Sequence, residues 1–277
     1  MYADLHVHTS HSDGELAPVQ VVGRAKEAGV SLLAICDHNL LSGSLEAAPL
    51  AARAGIRLVY GVEIDSLWRG VDLHVLGLNV DPEEPGLVRL ARESRDALDG
   101  MSDTLLRRMR ADGLPVSVEE FRARPAGWSQ GLGGWPALHY LVDKGLAASW
   151  RQAVAYYGKY QVGYAQAPFH SLSESCAAIR GAGGTAILAH PGDTPGLAAG
   201  PGTDFDQTLE ELAALGVQGL ECHYPSHDEG MTAYFLGLCR ERGLYISAGS
   251  DCHSASEAPQ IGCLRVREEE LNLPFLP

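Results

Sequence analysis

Short apolar runs alternate with amphipathic segments near both ends of the chain, up to residue 81 and again from about residue 165. The apolar runs have the length of strands, and the amphipathic segments have the period of helices. Strands separated by helices predict βα units and a mainly parallel sheet, so we expect an α/β fold. The seven predicted strands, one fewer than in a full barrel, span residues 4–8, 31–36, 57–64, 71–78, 185–189, 219–222 and 244–248.

The segment between residues 82 and 164 has a different pattern. Long charged amphipathic stretches such as 87–109 and 136–144 replace the alternation, and none of them ends in a candidate metal ligand. We therefore predict a helical insertion over 82–164 that caps the substrate site, within a barrel formed by 1–81 and 165–277. Its aromatic side chains are expected to pack the insertion rather than bind a ring; they are Trp128, Trp135, Tyr156 and Tyr157.

Imidazole and carboxylate side chains stand at or near the ends of most predicted strands. His6 and His8 come first, and residues two positions apart on a strand point to the same face, so both can reach one metal ion. Parallel strands gather their carboxyl ends on one rim, where we expect the other donors to converge. The candidate ligands are His6, His8, Asp13, His38, Glu63, His74, His190, Asp251 and His253.

This donor set indicates a site with more than one metal ion. Imidazole and carboxylate groups suit zinc, manganese or ferrous iron. Nine protein donors are too many for one ion and are adequate for three if a carboxylate bridges two of them. Cys36, Cys222 and Cys252 lie beside candidate ligands, so thiolate ligation is an alternative, although the oxygen and nitrogen donors suffice without it.

Composition narrows the possible partners and the compartment. A formal charge of −14 and a pI near 5.1 argue against a long nucleic acid and favour a small substrate. No apolar run approaches the roughly 20 residues that span a bilayer, and no leader opens the chain, so we expect no membrane partner. The six cysteines form no C-x-x-C pair, which fits reduced thiols and a cytoplasmic protein.

The order of the motifs resembles that of the PHP (polymerase and histidinol phosphatase) family of metal-dependent phosphoesterases. The resemblance rests on Asp4-Leu5-His6-Val7-His8 with Ser12-Asp13-Gly14, Asp37-His38, Gly61-Val62-Glu63, His74-Val75-Leu76-Gly77, Ala189-His190-Pro191 and Gly249-Ser250-Asp251-Cys252-His253. It implies a distorted seven-stranded βα barrel that binds up to three divalent ions of manganese, zinc or iron.

The same resemblance implies how the donors are shared. One ion would be held by His6, His8, Glu63 and Asp251, a second by Glu63, His74 and His190, and a third by Asp13, His38 and His253. Asp4 and Asp37 would orient imidazoles, as carboxylates commonly do beside ligating histidines.

A hydroxide bridging two of the ions is the expected nucleophile, because divalent ions lower the pKa of water towards about 7. The departing alkoxide needs a proton or a metal. His223 and His227 are the candidate acids, and a surface role for them is equally open.

The insertion resembles that of the group that cleaves 3′,5′-bisphosphorylated nucleosides and trims the 5′ ends of short RNA. That group usually carries an Arg-x-His pair where this chain has Gly134 and Pro136. We therefore expect a small phosphorylated metabolite as substrate, with a phosphomonoester or a cyclic phosphodiester, and keep the nucleotide activity as the alternative. Replacement cations for substrate phosphate are Arg107, Arg108, Lys159 and Arg69.

The donor set fits two other classes of protein less well than it fits a phosphoesterase. Hydrolysis of a carbon–nitrogen bond, as in amidohydrolase barrels, usually needs a metal-bridging lysine, and no lysine ends a strand-like run here. A metal-binding module without catalysis usually lacks ligands, whereas this set is complete.

Overall fold

The computed structural model describes residues 2–123, 137–256 and 258–276. Seven strands form one sheet in the order of the chain. The fold class predicted from the sequence is thus confirmed as α/β with seven strands. The strands are β1 (Tyr2–Val7), β2 (Val30–Ile35), β3 (Arg57–Trp68), β4 (Val71–Leu78), β5 (Thr185–Leu188), β6 (Gly219–His223) and β7 (Tyr245–Ala248).

Strand β4 runs against its neighbours. It pairs with both β3 and β5 in antiparallel fashion, whereas β1–β2–β3 and β5–β6–β7 are parallel. The turn between β3 and β4 uses Arg69 and Gly70 at positive φ, so the two strands form a tight hairpin. The middle of β3 lies beside the segment that follows β2, where a bridge pairs Glu63 with His38.

The sheet curls towards a barrel without closing into one. In the described ranges no ladder joins β1 to β7; instead, the segment after β7 lies along β1. Asp251 N donates to His6 O (2.7 Å), and His8 N donates to Cys252 O (3.1 Å). The expected distortion of the barrel lies at this seam.

Helices cover the sheet and form the insertion. Their starts carry ordinary capping signals: Pro18 opens α1 (Pro18–Glu27), and Ser171 and Glu174 form a capping box at α7 (Leu172–Gly181). The helices are α1 (Pro18–Glu27), α2 (Ser42–Ala54), α3 (Pro85–Ala111), α4 (Val118–Arg122), α5 (Ala137–Asp143), α6 (Trp150–Lys159), α7 (Leu172–Gly181), α8 (Phe205–Ala214) and α9 (Glu229–Arg242).

Helices α3 to α6 share a hydrophobic cluster of their own, whose buried members lie between Ala97 and Phe169. Tyr157 belongs to this cluster and is 2% exposed; burial raises the pKa of its phenol. Tyr156 packs against it, as predicted for both tyrosines, while Trp128 and Trp135 lie outside the described residues. The division into a barrel and an insertion at residues 82 and 164 stays a prediction.

In the three described ranges, no helix combines the length and the apolar character needed to cross a bilayer.

Candidate metal centre

The two histidines at the end of β1 point into one cluster of acidic side chains. His6 and His8 are 0% and 1% exposed, and their Nε2 atoms lie 3.1 Å apart. Both Nε2 atoms approach Glu63 Oε2, at 3.3 and 3.2 Å, and Asp251 Oδ1, at 3.3 and 3.1 Å. The alternation along the strand thus brings both imidazoles to the same pair of carboxylates.

Glu63 occupies the middle of this cluster and is 1% exposed. Burial would raise the pKa of its carboxyl group, but the neighbouring imidazoles outweigh it and hold the pKa well below the usual range. Its two oxygens face imidazole nitrogens at 2.9 to 3.3 Å, on His6, His8, His38, His74 and His190. A carboxylate with donors on both oxygens is placed to bridge two cations.

A further group of donors surrounds Asp13. One of its oxygens lies 3.1 Å from His8 Nδ1, and the other lies 3.5 Å from His38 Nε2 and 3.2 Å from His253 Nε2. The structure thus brings together all nine residues that the sequence analysis chose as candidate ligands, in overlapping groups. Their role as ligands stays a prediction.

Several oxygen and nitrogen atoms of this cluster are better suited to bind a divalent cation than to form hydrogen bonds with one another. Among the described residues, Glu63 Oε2, Asp251 Oδ1, His38 Nδ1 and His74 Nδ1 are buried without a hydrogen-bond partner. Buried polar atoms normally form hydrogen bonds. These converging atoms therefore indicate that a positively charged partner would bind them. Nitrogen and oxygen donors together suit manganese, zinc or iron.

Glu221 is a residue of this site that the sequence analysis missed. It is fully buried in β6; its carboxylate accepts from His6 Nδ1 (3.1 Å) and from His190 N (2.8 Å). This hydrogen bond orients His6 so that its Nε2 faces the cluster. The fit is tight, because a Cβ at Gly249 would lie within 3.0 Å of both Glu221 and His6. The signal of Glu221 in the sequence is an acidic residue inside the apolar run 219–222 rather than at the end of that run.

Asp4 and Asp37 have contacts different from the predicted ones. Asp4 accepts from Ser250 N (2.8 Å) and Gly262 N (2.7 Å), and burial raises its pKa to about 6. Asp37 accepts from Thr9 N (2.8 Å) and from the hydroxyl of Ser12 (2.6 Å). Asp4 thus holds backbone next to Asp251, and Asp37 holds the turn that leads to Asp13. Among the described contacts, neither carboxylate accepts a hydrogen bond from an imidazole, as Glu221 does from His6.

His223 and His227 stand apart from the nine donors. In the described parts of the chain, neither forms a hydrogen bond or close ion pair with any of the nine. His227 Nδ1 donates to Cys222 O (3.0 Å), and its Nε2 accepts from Gly192 N (3.2 Å). Burial lowers the pKa of both imidazoles. The ring of Tyr224, by contrast, lies near His190 and its hydroxyl donates to Asp251 Oδ2 (2.9 Å).

The four cations considered for substrate phosphate all have other contacts. Arg69 lies 2.9 Å from Glu211, and Arg107 lies 3.2 Å from Asp103. Arg108 donates to two backbone carbonyls, and Lys159 lies over the ring of Tyr160. Arg108 and Lys159 line one hollow on the insertion. Their phosphate-binding role stays a prediction, and Gly134 and Pro136 lie outside the described residues.

A seven-stranded α/β fold with clustered imidazoles and carboxylates at one rim defines a metal-dependent hydrolase. The model of the PHP domain matches residues 4–107. A 3′,5′-nucleoside bisphosphate phosphatase from Chromobacterium violaceum is 34% identical over 272 residues, covering 92% of this chain and 88% of that protein. The chain belongs to the PHP family.

Two further relatives also act on phosphate esters, as their names state. A 5′-3′ exoribonuclease from Haemophilus influenzae is 32% identical over 252 residues, which cover 90% of this chain and 89% of the relative. A phosphoribosyl 1,2-cyclic phosphate 1,2-diphosphodiesterase from Eggerthella lenta is 28% identical over 271 residues, with 95% and 98% covered. The protein is a metal-dependent phosphoesterase, a phosphoric ester hydrolase.

Solved structures share the whole fold. A chain from Bifidobacterium adolescentis, described as a metal-dependent phosphoesterase, has a TM-score of 0.79 at 25% identity and covers 96% of this chain and 93% of its own. A chain from Chromobacterium violaceum, described as an amidohydrolase with bound sulfate and no metal, has a TM-score of 0.78 at 28% identity, with 99% and 98% covered.

Proposed function

We propose that this protein hydrolyses small phosphomonoesters with up to three divalent cations bound at the rim of the sheet. The observation that carries the proposal is the position of Glu63, whose two oxygens each face imidazole nitrogens of a different donor group. Manganese, zinc and iron are the proposed metals, since the donors combine imidazole with carboxylate.

The donor groups of the structure suggest which residues hold each cation. His6, His8, Glu63 and Asp251 form one group, Glu63, His74 and His190 a second, and His8, Asp13, His38 and His253 a third. These three groups share two residues, Glu63 and His8. A fourth group, His38, Asp65 and His74, overlaps the second and the third. The first three groups agree with those implied by the family resemblance, apart from the additional His8.

When bound, divalent cations lower the pKa of water and neutralise the charge on phosphoryl oxygens. The chain itself keeps the ligand atoms aimed at the centre. Glu221 accepts from His6 Nδ1, which leaves the lone pair of Nε2 directed inward. Tyr224 donates to Asp251 Oδ2, which leaves Oδ1 directed at His6 and His8. Binding a cation therefore requires little rearrangement of these side chains.

The substrate is proposed to be a small phosphorylated metabolite. The same site could first open a cyclic phosphodiester and then hydrolyse the resulting phosphomonoester. The relative from Eggerthella lenta is named for a cyclic phosphodiester. The alternative is a nucleoside 3′,5′-bisphosphate or a short 5′-phosphorylated RNA, and the 34% identical relative favours it.

A release assay on the manganese-loaded protein separates these activities. Sugar phosphates, a cyclic ribose phosphate, a nucleoside 3′,5′-bisphosphate and a 5′-phosphorylated trinucleotide are compared by kcat/KM for phosphate or alcohol release. We expect sugar phosphates to be preferred. A preference for the bisphosphate would instead assign the nucleotide activity and remove the argument from Gly134 and Pro136. Release of ammonia from amides without any phosphate release would contradict the proposal.

The proton-donor role of His223 and His227 predicts a selective loss of activity. An acid matters when the leaving group is a poor one, and its removal typically costs about 10²-fold or more. If one of the two donates the proton, its asparagine variant loses about that factor in kcat on an alkyl phosphate and little on p-nitrophenyl phosphate. Unchanged turnover of the alkyl phosphate in both His223→Asn and His227→Asn would remove the pair from the chemistry.

We further propose a cytoplasmic location. The six cysteines are all free thiols in the structure, five of them buried. This pattern is typical of proteins from reducing compartments.

A further inference from the structure

Asp65 lies beside the metal centre, on the same face of β3 as Glu63, and is 0% exposed. The register of the hairpin places it directly opposite His74 of β4. Its Oδ1 lies 3.3 Å from His74 Nε2, while His74 Nδ1 lies 2.9 Å from Glu63 Oε1. The two nitrogens of His74 thus face two different carboxylates, one inside the donor group and one behind it.

We propose that Asp65 is a positioning residue for the cation held by Glu63, His74 and His190, and that it couples this cation to the insertion. The proposal rests on the proposed function, because it requires that these three residues bind a cation. Asp65 would act through His74, by holding the imidazole with its Nδ1 lone pair directed at Glu63 and His190.

The first support is the hydrogen bonding of His74. Asp65 and Asp72 both approach its Nε2, at 3.3 and 3.1 Å. Carboxylates only accept hydrogen bonds, so the Nε2 atom between them must carry the proton. In the neutral ring Nδ1 then has the lone pair, and Nδ1 is the buried atom that lacks a hydrogen-bond partner. The arrangement resembles the carboxylate–histidine–metal triads of other sites.

The second support concerns how Asp65 is held. Asn39 contacts it at two points: Asn39 Nδ2 donates to Asp65 Oδ2, and Asp65 N donates to Asn39 Oδ1 (3.2 Å). Asn39 has a φ of 52°, in the left-handed region that asparagine tolerates better than most residues. With Oδ2 engaged by Asn39, Oδ1 is the oxygen left for His74.

Asp65 also forms a donor group with His38 and His74, but its hydrogen bonds distinguish a positioning residue from a ligand. Glu63 Oε2, Asp251 Oδ1 and His74 Nδ1 are buried without partners, as expected of atoms that await a cation. The oxygens of Asp65 both accept hydrogen bonds, from Asn39 and from Tyr164, and Oδ1 also faces His74. Asp65 therefore supports the donor group from behind.

The third support is the contact with the insertion. Tyr164 follows α6 in the short 3₁₀ turn Tyr164–Gln166, and its hydroxyl donates to Asp65 Oδ1 at 3.4 Å. Its ring packs against Phe169, a member of the insertion's hydrophobic cluster. A displacement of the insertion would therefore be transmitted through Tyr164 and Asp65 to His74.

Equilibrium dialysis of the metal-free protein against Mn²⁺ tests the proposal. His190→Asn first identifies the equivalent of Mn²⁺ bound by the Glu63 group. We expect Asp65→Asn to weaken the same equivalent about 10- to 100-fold, the usual effect of losing such a carboxylate. In Asp65→Asn, the side-chain oxygen of the new asparagine would stay opposite the amide nitrogen of Asn39, which needs an acceptor. The side-chain nitrogen of the new asparagine would then face His74 Nε2, so that two donors oppose each other. The variant that combines Asp65→Asn with His190→Asn should lose no more Mn²⁺ binding than His190→Asn alone, because both substitutions act on one site.

Two further variants separate a specific loss of Mn²⁺ affinity from a general loss of folded structure. Tyr164→Phe removes only a hydroxyl and should weaken the same equivalent about fivefold, the effect of one hydrogen bond. Asp103→Asn, which alters a buried carboxylate within the insertion, should leave all equivalents unchanged. If His190→Asn removes no equivalent, the proposed function fails. If it does remove one, and that equivalent keeps its affinity in Asp65→Asn and Tyr164→Phe, the proposal on Asp65 is wrong.

Discussion

Replacing Glu63 by glutamine should lower kcat by about 10²- to 10³-fold, with the protein still folded. Glutamine keeps the shape of the side chain but loses the charge that faces imidazoles on both oxygens. Breaking a buried charge pair typically costs about 3–5 kcal/mol, and each 1.4 kcal/mol in the barrier is tenfold in rate. The loss should fall on kcat with every phosphate ester, because it concerns the centre rather than substrate recognition. Steady-state kinetics measure it.

Glu46→Gln provides the matched control for that experiment. Glu46 lies 2.9 Å from His11 in an exposed pair, so its loss should change kcat by less than about twofold, in keeping with the small energies of surface pairs. The thermal midpoint of metal-free Glu63→Gln should fall by about 10 °C, because the same buried charge pairs stabilise the fold, and circular dichroism should show a folded protein at the assay temperature. Full activity in a folded Glu63→Gln protein would show that this carboxylate does not bridge cations.

Addition of Mn²⁺ to the metal-free protein should raise its thermal midpoint by about 10 °C for each site that is filled. A ligand at 1,000 times its Kd stabilises the folded state by about 4 kcal/mol for each site. For a chain of this size, 1 kcal/mol corresponds to about 2–4 °C in the midpoint. The physical cause is the buried atoms of Glu63, His38, His74 and Asp251 that lack hydrogen-bond partners and would gain a cation. Scanning calorimetry with and without a chelator measures the change.

The same titration on two histidine variants shows whether the stabilisation arises at the centre. His190→Asn should reduce the rise, whereas His170→Asn should retain it. His170 lies 2.9 Å from Glu93 and belongs to none of the donor groups. An equal rise in the wild type and in His190→Asn would mean that Mn²⁺ binds somewhere other than the group containing Glu63 and His74.

Much of the metal centre could be predicted because candidate ligands follow the ends of strands. This is the case for β1, β2, β5 and β7, which are followed by His8, His38, His190 and Asp251. It works because parallel strands deliver their ends to one rim. Apolar runs and their spacing were sufficient to predict the seven strands, since strand positions depend mainly on local pattern.

Residues in the β3–β4 hairpin and in β6 show why other parts could not be predicted. The predicted third strand ended at residue 64, but β3 continues to Trp68, which makes Asp65 a strand residue beside Glu63. His74 lies in the middle of an antiparallel strand, and its partner Asp65 follows only from the register. Sequence patterns do not specify register across a sheet, so Asp65 and Glu221 required the structure.

The separate hydrophobic cluster of the insertion has a consequence for the evolution of this enzyme. Its buried members all come from residues between Ala97 and Phe169, so mutations that reshape it need not disturb the packing beneath the metal ligands. Descendants of this chain could exchange one substrate for another while retaining their hydrolytic chemistry. Tyr164, which touches Asp65, is where such divergence would be constrained, and it should vary less than its neighbours among proteins with this insertion.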